Sequence, residues 1–130
     1  AFTQSYSPDA NPQTVKSISV NIYDDSTGAC WTNLREVREY AEEKLTASGY
    51  KVDVQGGNYD FDISVNAFRI SNINTSCVGS YQVEIVKLTS SEGMVGYHKI
   101  GNIAGVVTRH KDENLNRDVL EAVNDMIDTM

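Results

Sequence analysis

Several stretches of the chain alternate between apolar and polar residues, and this period of two predicts β-strands with one buried side. The clearest stretch covers residues 59–67, in which every second residue is apolar or aromatic. Residues 15–23 and 81–88 show the same pattern, and two further strands are predicted at residues 51–54 and 94–107. Glycines interrupt the last stretch, so a bulge or a break is expected there.

Two other segments repeat their apolar residues at spacings of three and four, which is typical of amphipathic helices. These segments cover residues 31–48 and 114–129. Beside the apolar stripe of the second segment lies a row of acidic residues: Asp118, Glu121, Asp125 and Asp128. We therefore predict one helix early in the chain and one at its end, the second with an acidic side.

The order of these elements predicts an α+β fold. Because most strands have one apolar and one polar face, the helices should lie on one face of the sheet only. We expect a two-layer sandwich with a mainly antiparallel sheet of about four or five strands and two helices, in the order β-α-β-β-β-β-α. The strands at 15–23 and 51–54 should run parallel, joined by a right-handed helical crossover.

Residues 1–14 differ in composition from the rest of the chain. They contain both prolines, no Lys or Arg, and many Ser, Thr, Gln and Asn residues. This composition predicts a flexible N-terminal tail, followed by a single domain over residues 15–130. A first residue of Ala rather than Met is typical of a mature protein that has lost its export signal, so we expect a periplasmic or secreted location.

The charge of the chain narrows the range of partners. Among 130 residues, 18 are acidic and 11 are basic, which gives a net charge of −7. Nucleic-acid binding requires a basic surface, so it is not expected. The chain has no run of about 20 apolar residues, and direct membrane insertion is not expected either. No Cys or His spacing matches a metal site, and we predict no metal and no cofactor.

The chain contains two cysteines, Cys30 and Cys77, which are 47 positions apart. In an exported protein such a pair predicts a disulfide, which would stabilise the fold by about 4 kcal/mol in the chain-entropy model. The predicted strand directions conflict with this bond, because they place the two cysteines at opposite ends of the sheet. Two separate buried thiols are the alternative.

Residues 28–31, with the sequence Gly-Ala-Cys-Trp, stand at the start of the first predicted helix. They resemble the nucleophile segment of papain-like peptidases, a class that includes small bacterial cell-wall amidases. The resemblance implies a cysteine hydrolase with Cys30 as nucleophile and His98, on a later strand, as its base. The alternative is that Cys30 is half of a disulfide and Trp31 packs in the core.

Four carboxylates offer another possible site. Asp24 and Asp25 follow the first predicted strand, and Asp60 and Asp62 lie on the polar side of the strand at 59–67. If they converge at one end of the sheet, the domain would be a Ca²⁺-binding or small-ligand-binding module. A solvated acidic rim is the alternative reading of the same residues.

Apolar residues interrupt the polar face of the predicted sheet, and they indicate either a protein-binding surface or an ordinary scatter of singly exposed residues. They are Tyr23, Phe68, Val86 and Leu88. Together with the acidic side of the last helix, they predict a non-enzymatic exported domain that acts by protein–protein interaction or self-association. The element order looks like that of small α+β modules found in periplasmic assembly and lipoprotein-associated factors.

Overall fold

The computed structural model describes residues 2–6, 17–53, 59–70, 76–91, 94–109 and 113–130. This part of the chain forms the following elements in order: β1 (Phe2–Tyr6), β2 (Ile18–Ser26), α1 (Leu34–Ala47), β3 (Tyr59–Arg69), β4 (Cys77–Ser91), β5 (Met94–Arg109) and α2 (Asn116–Thr129). The strands form one five-stranded sheet in the order β1-β5-β4-β3-β2. The predicted α+β class, with two helices and a mixed, mainly antiparallel sheet, is confirmed.

The strands β2 and β3 run parallel, and every other pair in the sheet is antiparallel. Ile18 lies opposite Tyr59 and Ser26 opposite Ala67, so the two strands pair along the whole of β2. Helix α1 connects them. The first strand extends to Ser26, beyond its predicted end at residue 23, because β3 continues beside it.

The predicted strand at residues 51–54 is reduced to a single bridge. Val52 pairs with Ile18 in parallel, and residue 54 lies outside the described part of the chain. The amide of Ile18 donates to the carbonyl of Lys51, and the amide of Asp53 donates to the carbonyl of Ile18, both at 2.9 Å. This segment reaches only the outer edge of β2, because β3 occupies the inner side.

This difference removes the conflict over the disulfide. Since β2 and β3 run in the same direction, Cys30, after β2, and Cys77, at the start of β4, both lie at the end of the sheet where these two strands finish. The two residues form a disulfide with their Cα atoms 5.6 Å apart. The predicted pairing is therefore present, and the predicted direction of the strand at 59–67 was wrong.

A tight turn between β2 and α1 places Cys30 against Cys77. Gly28 and Ala29 both have positive φ angles, of 64° and 57°. Gly28 accepts a hydrogen bond from Nε of Arg69 at 2.6 Å, and a Cβ atom on Gly28 would lie 2.7 Å from Cβ of Arg69. Glycine is required here both for the left-handed backbone and for the close approach to β3.

The N-terminal segment differs from its prediction. Phe2–Tyr6 forms β1 and pairs antiparallel with β5, from Phe2 opposite Gly105 to Tyr6 opposite Gly101. The prediction of a flexible tail is thus wrong for these five residues, because an exposed edge of β5 offers them backbone partners. Residues 7–14 lie outside the described residues, and the domain start at residue 15 stays a prediction.

The core lies between the sheet and the two helices. In β3, alternate residues are buried, from Tyr59 to Ala67. They meet the apolar stripes of the helices, whose buried members are Val37, Ala41 and Leu45 in α1 and Val119, Ala122, Val123, Met126 and Ile127 in α2. Neither described helix is long and apolar enough to cross a membrane.

The long strand β5 contains the expected irregularity. Ile85 pairs with Gly101 and Val86 with Lys99, so the ladder between β4 and β5 shifts by one residue next to a glycine. Gly105 has a different role, because a Cβ atom there would lie 2.5 Å from the ring of Tyr81. The predicted bulge is confirmed, and Gly105 makes room for the Tyr81 ring.

The alternation of β3 predicts opposite effects at two adjacent positions. Val65 is buried among apolar residues, and Asn66 is exposed on the other face. Val65→Asp should unfold the domain or lower its stability by several kcal/mol, because it buries an unpaired carboxylate. Asn66→Asp should change the melting temperature by only a few degrees. Circular dichroism melts of the two variants test this, and equal melting temperatures would contradict the assignment of the faces.

The disulfide predicts a specific pattern of thiol reactivity. Both cysteines are fully buried, so reductant should reach the bond only when the domain opens. Intact mass should show two added hydrogens after reduction in denaturant, and no change after the same reductant under native conditions. The Cys30→Ala and Cys77→Ala double variant should lose about 2–5 kcal/mol of stability. Rapid reduction of the folded protein would contradict this prediction.

Candidate protein-interaction surface

The face of the sheet opposite the helices divides into two halves of different chemistry. Near the start of β3, a row of paired positions runs across four strands: Asn21, Asp62, Glu84 and Asn102. With Asp60, these residues form what we call the acidic half. Nδ2 of Asn21 donates to Oδ1 of Asp60 at 3.2 Å and to Oδ1 of Asp62 at 3.0 Å.

Asp62 lies at the centre of the acidic half. Partial burial raises the pKa of this carboxyl above its ordinary value, and the negative charges of Asp60 and Glu84 raise it further. The hydrogen bond from Asn21 acts in the opposite direction and lowers the pKa of Asp62. The acidic half therefore carries closely spaced negative charge, for which Asn21 supplies one amide donor.

Towards the other end of the strands, the same face is nearly free of charge. Among the residues whose side-chain exposure is described, which leaves out 2–6 and 88–100, every exposed large apolar or aromatic side chain lies at this end: Tyr23, Phe68, Ile70 and Val106. We call this region the apolar half. The positions between them carry small or uncharged polar side chains, namely Ser64, Asn66, Ser80, Gln82 and Thr108. Asp25 is the carboxylate at its rim, on β2.

A shallow hollow of about 350 Å³ lies in the apolar half. The side chains that line it include Tyr23, Asp25, Ser64, Asn66, Ser80 and Gln82. Gln82 is held in place by Asn102, to whose Oδ1 atom its Nε2 donates at 2.9 Å. The region thus combines exposed apolar area with polar groups that can hydrogen-bond across an interface without burying charge.

The residues that were predicted to lie on the exposed face of the sheet differ in how exposed their side chains are. Tyr23 and Phe68 are both more than half exposed, as expected. Val86 is only 7% exposed, so its predicted role on an exposed surface is wrong; it lies next to the β4–β5 bulge, opposite Asp60. Leu88 lies in β4 opposite Tyr97, and its side chain is outside the described part.

Two exposed residues, Ile70 and Val106, were missed by the sequence analysis. Val106 lies on the face opposite to that of its buried neighbour Gly105. The alternation of apolar and polar residues in β5 does not reveal this, because glycine at the buried position does not count as an apolar residue. Ile70 directly follows β3, and its amide donates to the carbonyl of Ser76 at 2.8 Å. The even-numbered residues of β3 lie on the face away from the helices, and continuing this alternation two residues beyond Phe68 indicates that Ile70 is exposed.

The acidic side of α2 is mostly paired within the domain. Asp118 forms a two-bond ion pair with Arg109, which raises the pKa of that guanidinium. Three further ion-pair contacts of the helices are Glu121 with Arg117 at 2.9 Å, Asp128 with Lys44 at 2.7 Å, and Arg35 with Glu39 at 3.1 Å. Among the described residues, Asp125 has no cationic partner. The acidic side of α2 is therefore less available for attracting a basic partner than its sequence indicates.

A groove of about 420 Å³ lies beside this ion-paired region. It is lined by Arg109, Glu113, Asn114, Arg117, Asp118 and Glu121. Both arginines are engaged by carboxylates of α2, and acidic residues outnumber basic ones in the lining. Burial raises the pKa of the nearby Tyr81, and the charges of Asp118, Asp125 and Glu121 add to that rise. Among its described lining residues, the groove presents no unpaired cation to an anionic ligand.

The predicted thiol chemistry is not supported. The sulfur of Cys30 is bonded to that of Cys77, so it provides no thiolate nucleophile. His98 is paired with Lys87, ten residues along β4 from Cys77. At about 3.3 Å per residue this places the backbones of His98 and Cys77 about 30 Å apart. Direct proton transfer between Cys30 and His98 is excluded by this distance.

The four carboxylates that were considered as a Ca²⁺ site do not converge. Asp62 lies opposite Asn21, and Asp25 lies four residues further along β2. This separation is about 13 Å along the strand. Within the described ranges, no cluster of three or more His, Cys, Asp or Glu residues could hold a metal ion. Parallel pairing of β2 with β3 separates the carboxylates. It places Asp60 and Asp62 near the start of these strands and Asp24 and Asp25 near their end.

The raised pKa of Asp62 predicts a pH-dependent effect on stability. The folded state binds the Asp62 proton more tightly than the unfolded state, so this group favours folding at low pH and loses that contribution as the pH rises through its raised pKa. Asp62→Asn should therefore raise the melting temperature at pH 7, and the gain should disappear below about pH 4. Asp25→Asn, at an exposed position, is the control. A variant less stable than wild type at pH 7 would contradict the prediction.

Comparisons with known proteins place the fold but not a family. No family model matches the chain, and no curated protein sequence matches it. A point variant of PelC from Paraburkholderia phytofirmans, whose structure is a dodecamer, superimposes with a TM-score of 0.59 and 16% identity over 98% of this chain and 95% of that one. A PDZ domain protein from Parabacteroides distasonis gives 0.58 and 12%, over 96% of this chain and 34% of that one. These structures share the fold of this chain.

Proposed function

We propose that this protein is a non-enzymatic, exported domain of the cell envelope that works by binding other protein surfaces through its apolar half. The observation that carries the proposal is the position of the exposed apolar side chains. Every large one among the residues whose side-chain exposure is described lies in this one region, on β2, on β5 and at the end of β3. Exposed apolar residues scattered over a whole surface are normal, whereas their grouping in one half of one sheet face indicates a contact surface.

The chemistry of the apolar half suits an interface core. Such cores are depleted in charged residues and enriched in aromatic ones, because desolvating a charge costs more than desolvating an amide or a hydroxyl that finds a partner. Tyr23 and Phe68 supply aromatic area, and Asn66, Ser80 and Gln82 supply donors and acceptors. The acidic half next to it forms one side of a charged rim, which excludes misaligned partners by repulsion.

Two further observations support this setting. The buried disulfide between Cys30 and Cys77 suits a protein that folds in an oxidising compartment, such as the periplasm or the extracellular space. The fold is shared with PelC, whose crystal structures are of a dodecamer. A fold of this kind is therefore compatible with assembly from many copies, and the proposed partners of this domain are protein surfaces, including those of other copies.

The proposal predicts that small polar substitutions in the apolar half weaken association without unfolding the domain. Phe68→Ser and Val106→Ser remove exposed side chains, so each should leave the melting temperature within a few degrees of wild type. Each should weaken binding about tenfold, as loss of roughly 1.4 kcal/mol at an interface does. Sedimentation and quantitative capture from envelope extract measure self-association and binding of other proteins.

The control is Arg35→Ser, which changes an exposed residue on the outer side of α1, away from the sheet. It should leave both measurements unchanged. Wild-type association in both Phe68→Ser and Val106→Ser, with their folds intact, would remove the apolar half as the binding surface.

A further inference from the structure

The outer edge of β2 presents backbone groups to solvent in a regular pattern. The odd-numbered residues bond to β3, as the ends of the ladder show: Tyr59 donates to the carbonyl of Ser17 at 3.1 Å, and Thr27 donates to that of Ala67 at 3.0 Å. The even-numbered residues therefore point their amides and carbonyls away from the sheet. Ile18 confirms this orientation, because its amide and carbonyl bond to the outer segment at Lys51 and Asp53.

Two side-chain caps limit the open part of this edge. Nη1 of Arg38 donates to the carbonyl of Val20 at 2.8 Å. At the other end, the amide of Ser26 donates to Oδ1 of Asp24 at 3.0 Å. Between these caps, Ile22 and Asp24 direct two amides and two carbonyls outward, and the described part of the chain offers them no partner. The open amides and carbonyls of this edge thus belong to the two residues that flank Tyr23.

The stretch from Ile22 to Asp24 is complementary to itself. When two copies approach with β2 antiparallel and a twofold axis at Tyr23, Ile22 of each copy faces Asp24 of the other. Residues that face each other as a hydrogen-bonded antiparallel pair exchange two bonds, so the two pairs use the outward amides and carbonyls of Ile22 and Asp24 in both copies. A register shifted by two residues would meet the capped carbonyl of Val20 or the capped amide of Ser26. The caps therefore select one register.

The side chains favour the same arrangement. Tyr23 would face Tyr23 of the second copy as a non-hydrogen-bonded pair, in which side chains lie close and aromatic residues stabilise the sheet. Val20 would face Ser26 of the second copy, which brings Arg38, bonded at Val20, beside the carboxylate of Asp24 across the axis. Opposite charges thus meet at this contact, although each copy carries a net charge of −7.

We propose that two copies of this chain pair through their β2 edges about Tyr23 and form one continuous ten-stranded sheet. The contact is made by backbone groups at the edge of the sheet and uses only Tyr23 of the apolar half, so it does not require the binding function proposed above for Phe68 and Val106. It is an isologous contact, which closes with two copies and leaves Phe68, Ile70 and Val106 of each copy open on the same side of the joint sheet.

A cysteine placed on the twofold axis tests the pairing directly. Directly opposite residues have Cβ atoms about 4.5–5.5 Å apart, close to what a disulfide requires. Tyr23→Cys should therefore form a covalent dimer under mild oxidation at least tenfold faster than Phe68→Cys. The two positions are matched, because Tyr23 is 55% and Phe68 54% exposed on the same face. The native cysteines are buried and bonded to each other, so they do not compete.

A second pair of variants separates backbone pairing from side-chain effects. Asp24→Pro removes an outward amide, which an edge strand tolerates, and should abolish the dimer in sedimentation experiments while the domain stays folded. Asp24→Asn keeps the amide and a side-chain oxygen that can accept from Ser26, so it should keep the dimer. Equal cross-linking rates at positions 23 and 68, or a purely monomeric wild type at the concentrations used for cross-linking, would overturn the proposal. Phe68→Ser acts on the apolar half alone, so it distinguishes failure here from failure of the proposed function.

Discussion

The parallel pairing of β2 with β3 is the constraint on which the rest of this structure depends. Its register places Ser26 beside Ala67, so that the turn at Gly28 delivers Cys30 to Cys77 at the same end of the sheet. It also decides which residues of β2 face the helices and which of its backbone groups point outward. The buried disulfide, the helix-free face and the open edge all follow from this one ladder.

The charges of the domain are distributed so that one region stays free of them. Carboxylates of α2 are largely paired within the fold, and Lys44 ties the two helices together through Asp128 and Asn124, which also accepts a hydrogen bond from Tyr40. The remaining negative charge on the sheet is concentrated in the acidic half around Asp62. A protein with a net charge of −7 thereby retains a nearly uncharged surface, which is where another protein can dock without desolvating ions.

The same geometry explains why the hydrolase interpretation fails. The residues Gly-Ala-Cys-Trp do precede α1 as predicted. However, the strand directions place Cys77 beside Cys30 and His98 at the far end of the sheet. A motif of four residues specifies local structure only, whereas a catalytic pair requires two distant segments to meet. What this fold brings together instead is a structural disulfide on one side and exposed apolar side chains on the other.

The sequence by itself determined the elements whose periodicity is strong. The alternation in β3, the stripes of α1 and α2, the α+β class and the exposed positions of Tyr23 and Phe68 follow from local patterns of apolar residues. Tertiary structure alone decided that β3 and not residues 51–54 lies beside β2, that Phe2–Tyr6 joins the sheet, and that Asp118, Glu121 and Asp128 are ion-paired. The physical reason is that periodicity reports which side of a segment is buried, whereas strand neighbours and charge partners depend on contacts between residues far apart in the chain.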